Sequence, residues 1–293
     1  IYNSMQRGGC KMNNIKIFTD STSDLSKELI DRNHIAIIPL YVTFDDEIYR
    51  DNVDIDQLGL YRKIDELNKI PKTSAPSPQD FVDAFKPHID RGDDIIYIGL
   101  SSKMSATIQN ANIAKEEFPN GRISIIDSHN LSTGIGLLVM KACDFRDKGM
   151  DIEEISENIQ QLVPKVRSTF IIDTLEYLHL GGRLSALQNL LGSALRIKPV
   201  IKVVDGEMTV AHKVRGRKSK VVDYMLNEPL INAENIDPSR IFITHSQGAE
   251  SVSYLKDQLS INLNADDIHI TDAGCVISSH CGPGTVGILY IEK

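Results

Sequence analysis

The sequence predicts an α/β protein in two parts. The first is an N-terminal α/β domain over residues 12–165, with a parallel sheet and crossover helices. The second is a C-terminal α+β domain over residues 166–293. Three observations predict this. A β-branched run, a polar turn and a helical pattern recur three times in the first half, which is the signature of parallel strands joined by helices. After the helical pattern at 152–166 that alternation stops and a hairpin signal appears. The chain has 293 residues, 41% of them hydrophobic, enough for two cores.

The elements follow in order. Residues 1–11 are read as a remnant or loose extension and take no part in the fold. Ile15–Thr19 is a strand, and Asp20-Ser21-Thr22-Ser23-Asp24 supplies N-cap residue types for a helix reaching Arg32. Ile35–Leu40 is a second strand, and 45–70 is charged and helical in places. Lys72-Thr73-Ser74-Ala75-Pro76-Ser77-Pro78 reads as a loop without regular structure, because two prolines and three hydroxyls break any period. A helix follows from Pro78 to Ile89. Asp94–Leu100 is apolar on both faces, as a buried parallel strand is. Ser101-Ser102 ends it, and Ser105–Phe118 is helical. Ile123–Ile126 is a strand ended by Asp127-Ser128, and Ser132–Lys148 is helical.

In the second half Thr169–Asp173 is a strand. Leu175–Leu180 is a short helix stopped by Gly181-Gly182, and Leu184–Leu195 is an apolar helix. Pro199–Val204, Asp205-Gly206 and Met208–Lys213 form a hairpin about the favoured Asp-Gly turn. Arg217–Leu226 is a helix, Arg240–Thr244 a strand, Ala249–Leu259 a helix and Asp267–Thr271 a strand. A Gly-rich stretch from Cys281 to Gly287 leads into a last strand, Ile288–Glu292.

Composition excludes several functions. Lys plus Arg is 32 and Asp plus Glu is 40, a formal net charge of −8. Such an acidic chain is not expected to bind nucleic acid generally. No apolar run nears the ~20 residues of a membrane span, so stable membrane insertion is not expected. No basic region precedes an apolar stretch at the start, so no secretory signal is expected and the reading is cytoplasmic. Four cysteines at 10, 143, 275 and 281 lack CxxC spacing, so they are read as reduced thiols and no metal is expected. The nucleotide P-loop, the G-x-S-x-G elbow and HExxH are all absent. Gly134-x-Gly136 has no third glycine and is read as helix packing.

Hydroxyls and a few cations remain. Thr73-Ser74 lies in the Pro-rich loop, and Ser101, Ser102 and Ser105 lie at a strand-to-helix turn. Such groups beside a helix N-terminus suit either a small anion or plain capping. Open α/β sheets bind ligands at the carboxyl ends of their strands, where the hydroxyls of Thr19-Asp20-Ser21-Thr22, Ser101-Ser102 and Asp127-Ser128 are expected. Gly181-Gly182-Arg183 presents an arginine from a tight turn. Lys213, Arg215, Arg217, Lys218 and Lys220 form a basic stretch that reads as a solvated face or as a contact for a phosphate or an acidic partner protein. His280 precedes Cys281-Gly282-Pro283-Gly284 and is either structural or placed to meet an anion.

These segments together resemble the DegV family of bacterial fatty-acid-binding proteins. The resemblance runs from Ile15 to Glu292. It is carried by Thr19–Leu25, Pro39-Leu40-Tyr41-Val42, Thr73–Ser77, Leu100–Thr107, Asp127-Ser128, Ser132-Thr133-Gly134, Leu175–Arg183, Lys198-Pro199, Arg215–Lys218 and His280–Gly284. The family usually has Gln where Ala75 stands and Gly where Ala106 stands. The resemblance implies a two-lobed DegV-type fold with a Rossmann-like N-terminal domain. It implies a lipid-binding subunit rather than an enzyme, with no cofactor or metal. One long-chain fatty acid would lie between the domains. A separate fatty acid kinase catalytic subunit would phosphorylate its carboxylate, and the acyl phosphate would feed phospholipid synthesis. Family matching favours Thr73 and Ser105 as carboxylate ligands, with Ser102 a third. Arg183 and His280 are expected to flank the head group or couple to the kinase. The competing readings are a stand-alone phosphotransferase or esterase using Ser102 or His280, and a sensor of another apolar acid.

Overall fold

The computed structural model describes residues 14–184, 187, 197–263 and 265–293. The elements, in order, are β1 (Ile15–Asp20), α1 (Lys27–Arg32), β2 (Ala36–Ile38), β3 (Tyr41–Phe44), β4 (Glu47–Arg50), α2 (Gln57–Leu67), β5 (Lys72–Ser74) and α3 (Pro78–Arg91). Next come β6 (Asp94–Gly99), α4 (Thr107–Lys115), β7 (Ile123–Asp127), α5 (Thr133–Asp147), α6 (Ile152–Leu162), β8 (Val166–Ile171) and α7 (Glu176–Leu180). The remainder are β9 (Ile197–Val204), β10 (Glu207–Arg215), α8 (Lys218–Ile231), β11 (Ile236–Ser246), α9 (Ala249–Asn262), β12 (Ile268–Asp272), α10 (Cys275–Cys281) and β13 (Thr285–Glu292).

The repeated strand–turn–helix pattern yields a parallel sheet of order β2-β1-β6-β7, as expected. β6 is buried along its whole length, which its continuous apolar run requires. The strand order reverses at β1, so a crevice belongs at the ends of β1 and β6. Asp20 fills it. Its Oδ2 accepts from the Tyr97 hydroxyl at 2.8 Å and the Leu100 N–H at 3.0 Å. The second half carries a mixed sheet of order β10-β9-β8-β13-β11-β12, and β4-β3-β5 forms a small antiparallel third sheet. The Asp205-Gly206 turn has positive φ at both residues, the type I′ geometry that matches strand twist.

α5 joins the two large sheets. It packs on β1 and β6 of one and on β8, β11 and β13 of the other. A helix apolar all round has to be buried all round, and ten of its residues are. Gly134 and Gly136 let it approach closely: a Cβ at Gly134 would collide with Asn130 and Ser168, and one at Gly136 with Leu25. The core it helps to build draws on both halves, from Ile17 and Ile96 to Phe242 and Leu289.

Four expectations change. The 72–78 segment is not wholly irregular, because Lys72–Ser74 pairs with β3 and sets Thr73 opposite Val42. The Ser21–Ser23 stretch forms a 3-10 turn capped by Asp20, and Ser26 caps α1 instead. α4 begins at Thr107, not Ser105. Residues 275–281 form a helix that the sequence reading missed. Most of the expected Leu184–Leu195 helix lies outside the described residues.

Candidate functional site

A cavity lies where the two large sheets and β5 meet. Its wall is mostly hydrocarbon: Leu40 and Leu100 from the first half, Phe170, Leu178, Met208 and Leu289 from the second, and Val276 and Ile277 from α10. Thr73, Ser74, Ser105, Arg183 and His280 line it as well. A mainly apolar cavity with a few convergent polar groups is what a small-molecule site requires.

Each polar residue is placed by a different element. Thr73 stands on β5, and the following loop is tied to α4 by Asn110 Nδ2 donating to the Pro76 carbonyl at 2.7 Å. Ser105 sits in a turn whose Met104 and Ser105 N–H groups donate to the Ser101 carbonyl at 2.9 and 3.2 Å. Its hydroxyl lies 2.8 Å from that of Thr107, and no side chain caps α4. His280 lies in the last turn of α10, and its Nε2 lies 2.8 Å from Thr73 Oγ1. Arg183 is held by two carbonyls, donating from Nη1 to Gly181 at 2.7 Å and from Nη2 to Met104 at 3.4 Å.

The structure therefore brings Thr73, Ser105, Arg183 and His280 to one cavity. It does not bring Ser102, which is exposed and outside the wall. The Ser102 N–H turns toward the Asp127 carboxylate at 3.3 Å, so the tight turn after β6 points its side chain to water. Ala75 lines the cavity, whereas Ala106 is exposed outside it. Of the basic stretch, Lys218 is bound to Asp173 and to the Gly284 carbonyl.

Electrostatics make the polar group neutral apart from Arg183. Burial pushes the His280 imidazole down to about 4, and the Arg183 charge adds to the effect, so the ring is uncharged at neutral pH. Burial likewise pushes the Cys281 thiol in the wall up to about 12, which leaves it a thiol and a poor nucleophile.

α10 owes its place to two carboxylates that are distant in sequence. Asp24 Oδ1 accepts from the Gly274 N–H at 2.8 Å. Asp51 accepts from the N–H groups of Cys275 at 2.7 Å and Val276 at 3.4 Å. The helix has no local side-chain cap, so these acids complete its first turn and favour its dipole. Burial raises Asp51 to about 6 and Asp24 above the usual carboxylate range. Asp51 therefore takes up a proton on folding between its ordinary 3.8 and about 6. Its contribution to stability is complete below that window and is lost as pH rises through it, by about 1.4 kcal/mol per pH unit. Denaturant titrations at pH 4.5 and 6 should show this slope in wild type and its loss in Asp51→Asn; parallel curves would place the proton elsewhere.

The DegV family model, described as an uncharacterised protein family, matches residues 14–293. A DegV domain-containing protein of Caldanaerobacter subterraneus is 35% identical over 285 residues, covering 96% of this chain and all of the relative. Among solved structures, a DegV family protein of Thermus thermophilus, described by its fatty acid binding, superposes with a TM-score of 0.89 at 32% identity, over 96% of this chain and 100% of that one. DegV of Bacillus subtilis, described as a fatty acid binding protein, gives 0.84 at 28% identity over 96% and 100%. A stearic-acid-binding protein of Eubacterium ventriosum gives 0.83 at 27% over 95% and 98%. No helix among the described residues is long and apolar enough to cross a membrane.

Proposed function

Because the chain belongs to the DegV family, we propose that it binds one long-chain fatty acid in this cavity and presents the carboxylate to a separate fatty acid kinase. The observation that carries the reading is a hydrocarbon cavity in which Thr73, Ser105, Arg183 and His280 converge. Structural relatives of this chain bind fatty acids. A tail of about 14 methylenes at ~0.8 kcal/mol each contributes up to ~11 kcal/mol on burial. Ordering the chain offsets part of that. The head group must recover its hydrogen bonds when it leaves water, and the hydroxyls of Thr73 and Ser105 are the donors assigned to it.

Neutral donors suit a carboxylate that must still react. They hold it without a covalent bond or a salt bridge, so an oxygen keeps its lone pair for attack on the phosphorus of the kinase's phosphoryl donor. The new O–P bond forms as the donor's own P–O bond breaks, and the acyl phosphate enters phospholipid synthesis. The esterase reading loses its nucleophile, since Ser102 points to solvent. It also loses its orienting acid, since His280 Nδ1 has no hydrogen-bond partner among the described residues.

Mass spectrometry of lipid extracted from the purified protein tests the binding. A bound long-chain acid is expected, and a different apolar acid or none would overturn it. Arg183 is assigned to the kinase step, because two carbonyls already fix its guanidinium. Arg183→Ala should leave fatty-acid affinity within about threefold and slow phosphorylation by the kinase at least about tenfold, or ~1.4 kcal/mol in barrier. Collapse of lipid binding in this variant would show the division of roles to be wrong.

A further inference from the structure

Gly181 lies next to His280, yet its backbone has no need of glycine. Its φ of −74° and ψ of −3° are right-handed and open to every residue. The left-handed position of that turn is Gly182, at φ +72°. What Gly181 lacks is space. A Cβ there would stand 2.7 Å from Cε1 of His280, closer still to Nδ1, and 2.9 Å from the Tyr177 carbonyl. The imidazole is packed against a bare Cα.

We propose that Gly181 is a positioning residue: its missing side chain seats the His280 ring so that Nε2 carries the proton and donates it to Thr73. The inference rests on the fatty-acid reading above and deepens it. His280 Nδ1 is buried and has no hydrogen-bond partner among the described residues. A neutral imidazole carries one N–H. Set on Nδ1, that hydrogen would be a stranded buried donor. Set on Nε2, it reaches Thr73 Oγ1 at 2.8 Å. Thr73 then accepts from the ring, and its own hydrogen is directed at the carboxylate, which can only accept. The chain of donation runs from His280 to Thr73 to ligand. Its direction depends on the ring's position, hence on Gly181. The Gly181 carbonyl also accepts from Arg183, so one short turn aligns both flanking groups.

The test is a double-variant cycle on fatty-acid affinity and unfolding midpoint, with wild type, Gly181→Ala, His280→Ala and the combination. Gly181→Ala is expected to bind at least about tenfold more weakly, because the methyl displaces the ring. The combined variant should bind within about twofold of His280→Ala, since the methyl then enters vacated space. Most of any loss of midpoint in Gly181→Ala should disappear in the same way, leaving only the part due to the Tyr177 carbonyl 2.9 Å from the methyl, which keeps the test decisive if that variant folds poorly. Nitrogen-15 NMR of the ligand-free protein should show His280 protonated at Nε2, with a changed signature in Gly181→Ala. Wild-type affinity in Gly181→Ala, losses that add in the combined variant, or a proton on Nδ1 would each overturn the proposal. Failure of wild type to bind fatty acid would overturn only the binding reading, because the midpoint and NMR arms still judge the seating of His280.

Discussion

Thr73→Val lowers fatty-acid affinity by on the order of 100-fold, about 3 kcal/mol, and lowers the unfolding midpoint as well, because His280 Nε2 loses its partner in the ligand-free protein. Valine keeps the volume and β-branching of threonine, so β5 and its pairing with Val42 are undisturbed. Only the hydroxyl goes, and it serves two groups. In the proposed complex the carboxylate loses one of its donors. His280 Nε2 loses the group 2.8 Å away. A charged acceptor and a buried ring nitrogen are stranded together, which places the effect at the upper end for one side chain. Calorimetric titration with a long-chain acid measures it. A dissociation constant within threefold of wild type would remove Thr73 from the head-group site.

Asp51→Ala should be the most destabilising single change at the site, by about 2–4 kcal/mol, or on the order of 8 °C in midpoint. The N–H groups of Cys275 and Val276 lose their acceptor inside the protein. Relief of a costly buried carboxylate offsets part of this, since Asp51 already sits at about 6. Because α10 carries His280 at its other end, fatty-acid affinity should fall as well, although Asp51 lies outside the cavity wall. Thermal unfolding and lipid titration of the same variant check both halves. A midpoint shift under 2 °C would mean that α10 is held by its apolar contacts rather than by its cap.

The site was partly legible in the sequence. The likeness to the DegV family marked Thr73 and Ser105, whereas the hydroxyl pattern by itself left plain capping and anion binding both open. Ser102 carried the same signal and misled, since a single turn decides which of two adjacent serines faces the cavity. α10 was overlooked because its cap is not in its own neighbourhood. Gly274 precedes it without a capping side chain, and its acceptors come from Asp24 and Asp51, over 200 positions away. Gly181 looked like a helix stop, and nothing local shows that a ring from position 280 lies against it.

By itself the sequence determined the parallel sheet, the Asp-Gly hairpin and the likeness to fatty-acid binders. Periodicity, turn chemistry and motif order are local properties, and they survive reading one window at a time. Only the tertiary structure decided which hydroxyls share a cavity, where α10 begins and how His280 is oriented. Those depend on contacts between segments far apart in the chain, where one missing Cβ or one carboxylate settles the geometry and no sequence spacing records it.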